Sequence, residues 1–166
     1  MRNQYEYTIN STEDIRKAFD EADREGYDLT FYNSTFYLRG TPGETISVDD
    51  SLAHLHVVAY GPAPVWVFGE GEVTVRAEEN AVVYATEGSL VDAYDSATVY
   101  AYDRSQVDVS MNASVYAASD DVDVKAFGTS RVYLPSDGVA GSQALVHLEG
   151  SAELIRGVDV PMGLAN

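Results

Sequence analysis

The sequence predicts a mainly β chain wound into a parallel β-solenoid, with flattened, two-sided coils of about 16 residues behind a small N-terminal α/β cap. Three observations predict it. From about residue 65 a Val-x-small unit recurs every eight residues: Val67-Phe68-Gly69, Val75-Arg76-Ala77, Val83-Tyr84-Ala85, Val91-Asp92-Ala93, Val99-Tyr100-Ala101, Val107-Asp108-Val109 and Val115-Tyr116-Ala117. The middle residue alternates between aromatic and charged, which doubles the period to sixteen. Polar corners such as Glu87-Gly88-Ser89, Asp95-Ser96 and Asp103-Arg104-Ser105 separate the units.

The cap spans 1–64 and includes the first rungs. Tyr5, Tyr7 and Ile9 alternate as in a strand. Ser11, Thr12, Glu13 and Asp14 form a capping signal, with Ser11 or Thr12 as N-cap and acids in the first turn. Ile15, Ala18, Phe19 and Ala22 then make one apolar stripe at helical spacing, and Gly26 stops a helix over 12–25. Leu29–Tyr32 and Phe36–Leu38 read as short strands, and Ile46-Ser47-Val48 and Val58-Ala59-Tyr60 as early rungs before the Gly61-Pro62-Ala63-Pro64 break.

The solenoid proper is expected over 65–156. Alternate strand residues point to opposite faces, so each Val and small residue faces inward and the middle residue outward. One extra residue gives Val124-Lys125-Ala126 and then Val132-Tyr133-Leu134. The outward residues read Phe68, Arg76, Tyr84, Asp92, Tyr100, Asp108, Tyr116, Lys125, Tyr133. With two eight-residue faces per coil, every aromatic stacks on one side and every charge on the other; a three-sided coil of 24 residues would mix them. Pro135-Ser136-Asp137-Gly138 signals a turn, and Val146-His147-Leu148 and Leu154-Ile155-Arg156 read as degenerate last rungs. The tail, 157–166, with Val158-Asp159-Val160-Pro161-Met162, is a candidate lid or dimer contact. No helical cap follows the last rungs, and an exposed end strand invites a homodimer, end to end or side by side.

Charge bounds the function. The 166 residues hold 10 Lys+Arg against 27 Asp+Glu, a net −17, spread as −6, −8 and −3 over residues 1–66, 67–134 and 135–166. Direct nucleic-acid binding is disfavoured and a basic partner favoured; solubility is the plain alternative. The absence of Cys excludes disulfides and thiol chemistry. No apolar run suits a membrane span or a signal peptide, so a cytoplasmic setting in a bacterial host is expected.

Candidate partner-binding acids fall at corners (Glu78, Glu79, Glu87, Asp95, Asp103), on the charged face (Asp92, Asp108) and beside the irregular rung (Asp120, Asp121, Asp123). Stacked carboxylates along a rod resemble a phosphate backbone; a solvated face is the bland reading. Reversing Asp92, Asp95, Asp103 and Asp108 to Lys is expected to abolish binding and leave the fold intact. The aromatic strip Tyr84, Tyr100, Tyr116 and Tyr133, with Phe68, stiffens one sheet or offers a surface to a partner or a sugar. Tyr94 and Tyr102 beside the corners add aromatic surface that the core does not need. The Asp120–Asp123 run could hold a hard cation, and His54 and His56, sharing a strand face at i, i+2, could ligate a metal, but no metal and no cofactor is expected. Only Arg76 and Lys125 are aligned bases, and no nucleophile or phosphate-loop motif occurs, so an enzyme is not expected.

The stretch Ser89–Phe127, with Asp95–Tyr102 at its centre, resembles the short-repeat β-helical proteins of phages and mobile elements. In architecture and acidity it is similar to repeat-solenoid DNA mimics, including pentapeptide-repeat proteins that bind gyrase and some phage anti-CRISPR proteins, although the period is eight rather than five. The resemblance implies a phage-encoded, non-enzymatic inhibitor that occupies the basic surface of a nucleic-acid-binding defence complex, a CRISPR effector being the expected target class. A structural or self-assembling module is the second expectation, and a carbohydrate-binding module using the Tyr strip the third.

Overall fold

The computed structural model of the protein describes residues 5–160. The strands are β1 (Glu6–Ile9), β2 (Thr35–Leu38), β3 (Ile46–Val48), β4 (His56–Ala59), β5 (Val65–Val67), β6 (Thr74–Ala77), β7 (Val82–Ala85) and β8 (Leu90–Ala93). They continue as β9 (Thr98–Ala101), β10 (Gln106–Val109), β11 (Ser114–Ala117), β12 (Asp123–Ala126), β13 (Arg131–Leu134), β14 (Leu145–Leu148) and β15 (Glu153–Arg156). All pair in parallel, in two sheets of order β1-β2-β4-β6-β8-β10-β12-β14 and β15-β13-β11-β9-β7-β5-β3. Seven coils therefore stack, each giving one strand to either sheet, from β2 with β3 to β14 with β15. This is the two-sided β-solenoid of the sequence argument. Its central coils repeat every 16 residues, since Tyr84 pairs with Tyr100 and Tyr100 with Tyr116.

The core is slender. Val91, Ala93, Val99, Ala101, Val107, Val109, Val115 and Ala117 are all at most 1% exposed. The two strands of a coil run in opposite directions, so the Val of one comes level with the small residue of the other. In the coils β6 with β7 and β8 with β9 large meets small at both levels, whereas in β10 with β11 Val109 comes level with Val115. Ala81, Ala97 and Ala113 fill the corner on one edge, and Ser89 and Ser105 fill it on the other.

At the N-terminus a helix replaces a strand. α1 (Thr12–Glu25) links the parallel pair β1 and β2 and lies against β3. Ser11 is its N-cap, accepting from the Asp14 N–H at 3.3 Å, and Gly26 ends it in the left-handed region at φ 75°. Ile15, Ala18 and Ala22 are buried, and the Phe19 ring meets Phe36 edge-on at 5.9 Å. The Thr12 hydroxyl accepts the Ser47 N–H at 2.9 Å, satisfying a donor on the outer edge of β3. Apolar cover and edge cover thus come from one helix. The first sheet's ladder also runs from the cap into the solenoid without a break at residue 64.

Four expectations are corrected. Leu29–Tyr32 is a turn, because the Asp28 carboxylate accepts the N–H groups of Thr30 at 2.8 Å and Phe31 at 3.3 Å and pulls the backbone out of an extended path. The early rung near residue 58 is β4, where Val57 and Ala59 point inward and Val58 outward. The rung near residue 67 is β5, with Val65 and Val67 inward, so Phe68 lies past its end. His54 sits in a turn at φ 65° while His56 lies in β4, hydrogen-bonded to Asn33 at 3.1 Å, so the two do not share a strand face. Of the tail, the Val158 N–H donates to the Leu134 carbonyl at 3.2 Å; Met162 and the rest of 161–166 lie outside the described residues.

Candidate functional site

The solenoid offers two faces and two edges. On the outer face of the first sheet, strand register places Arg76, Asp92, Asp108, Lys125 and His147 in one column. The column is not acidic as a whole. Its two carboxylates sit side by side between two cations, and Asp92 has its pKa raised by burial first and by Asp108 second, against a lowering by Arg76. Arg76 is already engaged: its Nε lies 2.5 Å from a Glu78 oxygen and its guanidinium sits 4.6 Å over the Tyr94 ring. An open groove of about 360 Å³ beside it is lined by Thr35, His56, Val58, Thr74, Arg76 and Asp92. Among the described residues no group of three His, Cys, Asp or Glu is placed to hold a metal.

The second sheet bears the aromatic column. Parallel strands in register sit about 4.8 Å apart, close to ring-stacking distance, so identical positions stack like coins. Tyr84, Tyr100, Tyr116 and Tyr133 follow one another at 5.0, 5.1 and 4.5 Å with interplanar angles of 17°, 22° and 11°. The column begins with Trp66, 4.4 Å from Tyr84 and parallel to it, not with Phe68, which lies beside Trp66 at 6.1 Å. Because the rings stack, their flat faces point at one another and only edges and hydroxyls reach solvent. Burial raises the pKa of Tyr100 and Tyr116, with a smaller contribution from neighbouring tyrosines. Tyr102 is itself buried, parallel to Trp66 at 6.4 Å, and so packs on the aromatic face outside the core cluster.

The remaining acids divide between the edges. Where the chain passes from the first sheet to the second, the corners hold Glu44, Glu78, Glu79, Asp95 and Glu149. Where it returns, they hold Asp49, Asp50, Glu70, Glu72, Glu87, Asp103, Asp120, Asp121 and Asp137, with Arg104 as the one Lys or Arg among those described corners. Arg104 lies 3.7 Å from Glu70. Asp123 is not a corner residue; it lies in β12.

Several of these carboxylates also hold the fold. Glu79, Glu87, Asp95 and Asp103 all take the left-handed conformation at φ 54–57°. Asp95 accepts the Glu79 N–H and Asp103 the Glu87 N–H, both at 3.1 Å, tying each corner to the one before it. Asp50 accepts the Glu70 N–H at 3.4 Å in the same way. Asp120 accepts from Gly141 at 2.9 Å and Gln143 at 3.1 Å, anchoring the long loop before β14. Reversing Asp95 and Asp103 therefore removes corner hydrogen bonds as well as charge, contrary to the expectation that the fold is left alone.

Sequence reasoning missed Trp66 and the gathering of acids on the return edge. The signal was present: assigning each acid to the corner after its own strand separates Glu70, Glu72 and Asp121 from Glu78 and Glu79. Fold and surface together define a class, a capped, acidic parallel β-solenoid with one aromatic face. Comparison with known protein families, curated proteins and solved structures finds no match.

Proposed function

We propose that the protein is a non-enzymatic binding module whose acidic return edge docks on the basic surface of a nucleic-acid-binding protein complex. The observation that supports it is nine carboxylates against one arginine along a single straight edge. They occupy six successive corners, about 24 Å at ~4.8 Å per coil. That is one charge per roughly 3 Å, between the ~3.4 Å of a single nucleic-acid strand and the ~1.7 Å of a duplex. The rigidity of the stacked corners fixes the carboxylates before contact, so little ordering cost falls on binding. The narrowest form of this reading is a phage-encoded inhibitor of a bacterial defence complex, a CRISPR effector foremost, acting in the host cytoplasm.

Glu72, Glu87 and Asp121 are the residues to reverse, since their carboxylates accept no corner N–H; Glu87 serves the fold through its backbone N–H, which a lysine keeps. Immobilised protein should capture basic nucleic-acid-binding complexes from bacterial lysate and release them to competing duplex DNA. The E72K/E87K/D121K variant, folded as judged by circular dichroism, should capture none. An unchanged captured set would remove the acidic edge from the function. Sugar recognition draws no support from the aromatic column, because a flat sugar ring needs an exposed aromatic face and these faces are occupied by neighbouring rings.

A further inference from the structure

The two ends of the rod differ. At the N-terminal end α1 covers the core, and Ile9, Ile46 and Val48 are at most 1% exposed. At the other end no described residue covers the core beyond the last coil. Val146, Leu148, Leu154 and Arg156 take the inward positions of the last strands; Val146 and Leu154 are half-buried, Leu148 is 39% exposed, and the outward Leu145 is 67% exposed. Among the described residues β14 and β15 each have a neighbour on one side only, which leaves a row of backbone N–H and C=O groups on each without a strand partner.

We propose that this end docks a second copy of the chain, forming a closed, two-fold, end-to-end dimer in which β14 of each copy pairs antiparallel with β15 of the other. The geometry selects the axis and the register. A two-fold axis parallel to the strands leaves every strand at its own position along that direction, so the midpoint of β14 meets the midpoint of the partner's β15, inner face matching inner face. Side chains opposite each other across an antiparallel pair share a face, so only every second register keeps the core continuous. The register nearest the midpoint that also matches side chains sets Val146 against Leu154 of the partner subunit on the inside. On the outside it sets Leu145 against Ile155 of the partner subunit and His147 against Glu153 of the partner subunit. Apolar meets apolar at both of these pairs, the imidazole meets a carboxylate, and the inward position of Arg156, whose guanidinium is held by the Ser142 carbonyl at 3.2 Å and by Asp137 at 3.8 Å, falls opposite Ala144 of the partner subunit. In the isolated chain His147 rests on Glu149 at 3.2 Å and Glu153 on Arg131 at 3.8 Å, both exposed contacts that a partner strand can share. Because α1 closes the opposite end, this assembly stops at two copies instead of growing into a fibre.

The chain contains no cysteine, so a pair introduced by mutation reports without background. Residues directly opposite in an antiparallel pair have Cα atoms about 4.5–5.5 Å apart, within the span of a disulfide. Within one chain positions 147 and 153 lie on opposite sheets and face away from each other, so they cannot be bridged. The H147C/E153C variant should oxidise to a covalent dimer, and neither single variant should form a 147–153 bridge. Sedimentation velocity of the unmodified chain should show a concentration-dependent monomer–dimer equilibrium. L145K/I155K, which alters outward positions only, should melt like the parent at concentrations low enough that both are monomeric, and should weaken the dimer roughly 100-fold or more. A chain that stays monomeric at high concentration overturns the proposal. So does a dimer that H147C/E153C does not trap or that L145K/I155K leaves unchanged.

Discussion

Ser89 and Ser105 are fully buried in adjacent corners of the return edge, and neither hydroxyl has a hydrogen-bond partner. The equivalent place on the other edge is filled by Ala81, Ala97 and Ala113. A buried hydroxyl without a partner forfeits its hydration for nothing, so Ser89→Ala or Ser105→Ala should stabilise the chain by about 1 kcal/mol. Thermal melts should then rise by about 3 °C; a fall would mean that the hydroxyls bond to water inside the corner. Asp92 is the other residue held at a cost. Folding raises its pKa through burial and Asp108, so the folded chain binds that proton more tightly than the unfolded chain. Its charge therefore opposes folding at neutral pH, and the opposition fades as pH falls through the carboxylate range. Asp92→Asn should melt higher than the parent at neutral pH, and the gap should close in acid. A gap that persists or widens in acid would place the cause elsewhere.

At the scale of the element, the corner decides which residues are tolerated. Successive corners on the outgoing edge put Glu79, Asp95, Met111 and Gly128 in the left-handed region, at φ 54–63°. Methionine has nothing to offer there: it is 52% exposed, and its Cβ makes the conformation unfavourable by about 1–2 kcal/mol. Met111→Gly should recover about 0.5–1 kcal/mol after the entropy of glycine is counted. Urea titration should show a higher midpoint at an unchanged slope. The strands were legible because period two is strict, and Val-x-Ala with a polar flank leaves one choice of inward face from β6 to β13. Legibility failed where spacing drifted. Between β5 and β7 the corner Phe68–Val73 is longer, so the aromatic position at Trp66 lies 18 residues before Tyr84. Extrapolating the sixteen-residue spacing selects Phe68 instead. Leu29–Tyr32 misled differently, since a side-chain acceptor at Asp28 overrides an apolar run that reads as a strand.

For the whole molecule, stability is close to a sum over coils and their nearest neighbours, and the ends set where opening begins. The N-terminal end is tied by α1 and the bond from Ser47 to Thr12; the last coil has no equivalent among the described residues. Hydrogen exchange should be slowest in β8–β11 and fastest in β14 and β15, and dimerisation should slow the latter two selectively. Uniform protection along the rod would contradict this gradient. Chain acidity was plain from composition, but its concentration on one edge was not. That property belongs to the winding, which brings Asp50, Glu72, Glu87 and Asp121 into line from four separate turns.

The sixteen-residue coil also makes phase a property of the rod. A duplication or deletion of one whole coil slides the remaining strands by one step and returns every side chain to its own column, aromatic upon aromatic and charge upon charge. A change of eight residues keeps each Val facing inward, yet it exchanges the two outer faces downstream and drops Asp92 or Lys125 into the ring stack. Such a chain changes length in quanta of a full turn. The single extra residue before Val124 is absorbed in a corner, where the backbone can take up slack without passing it on.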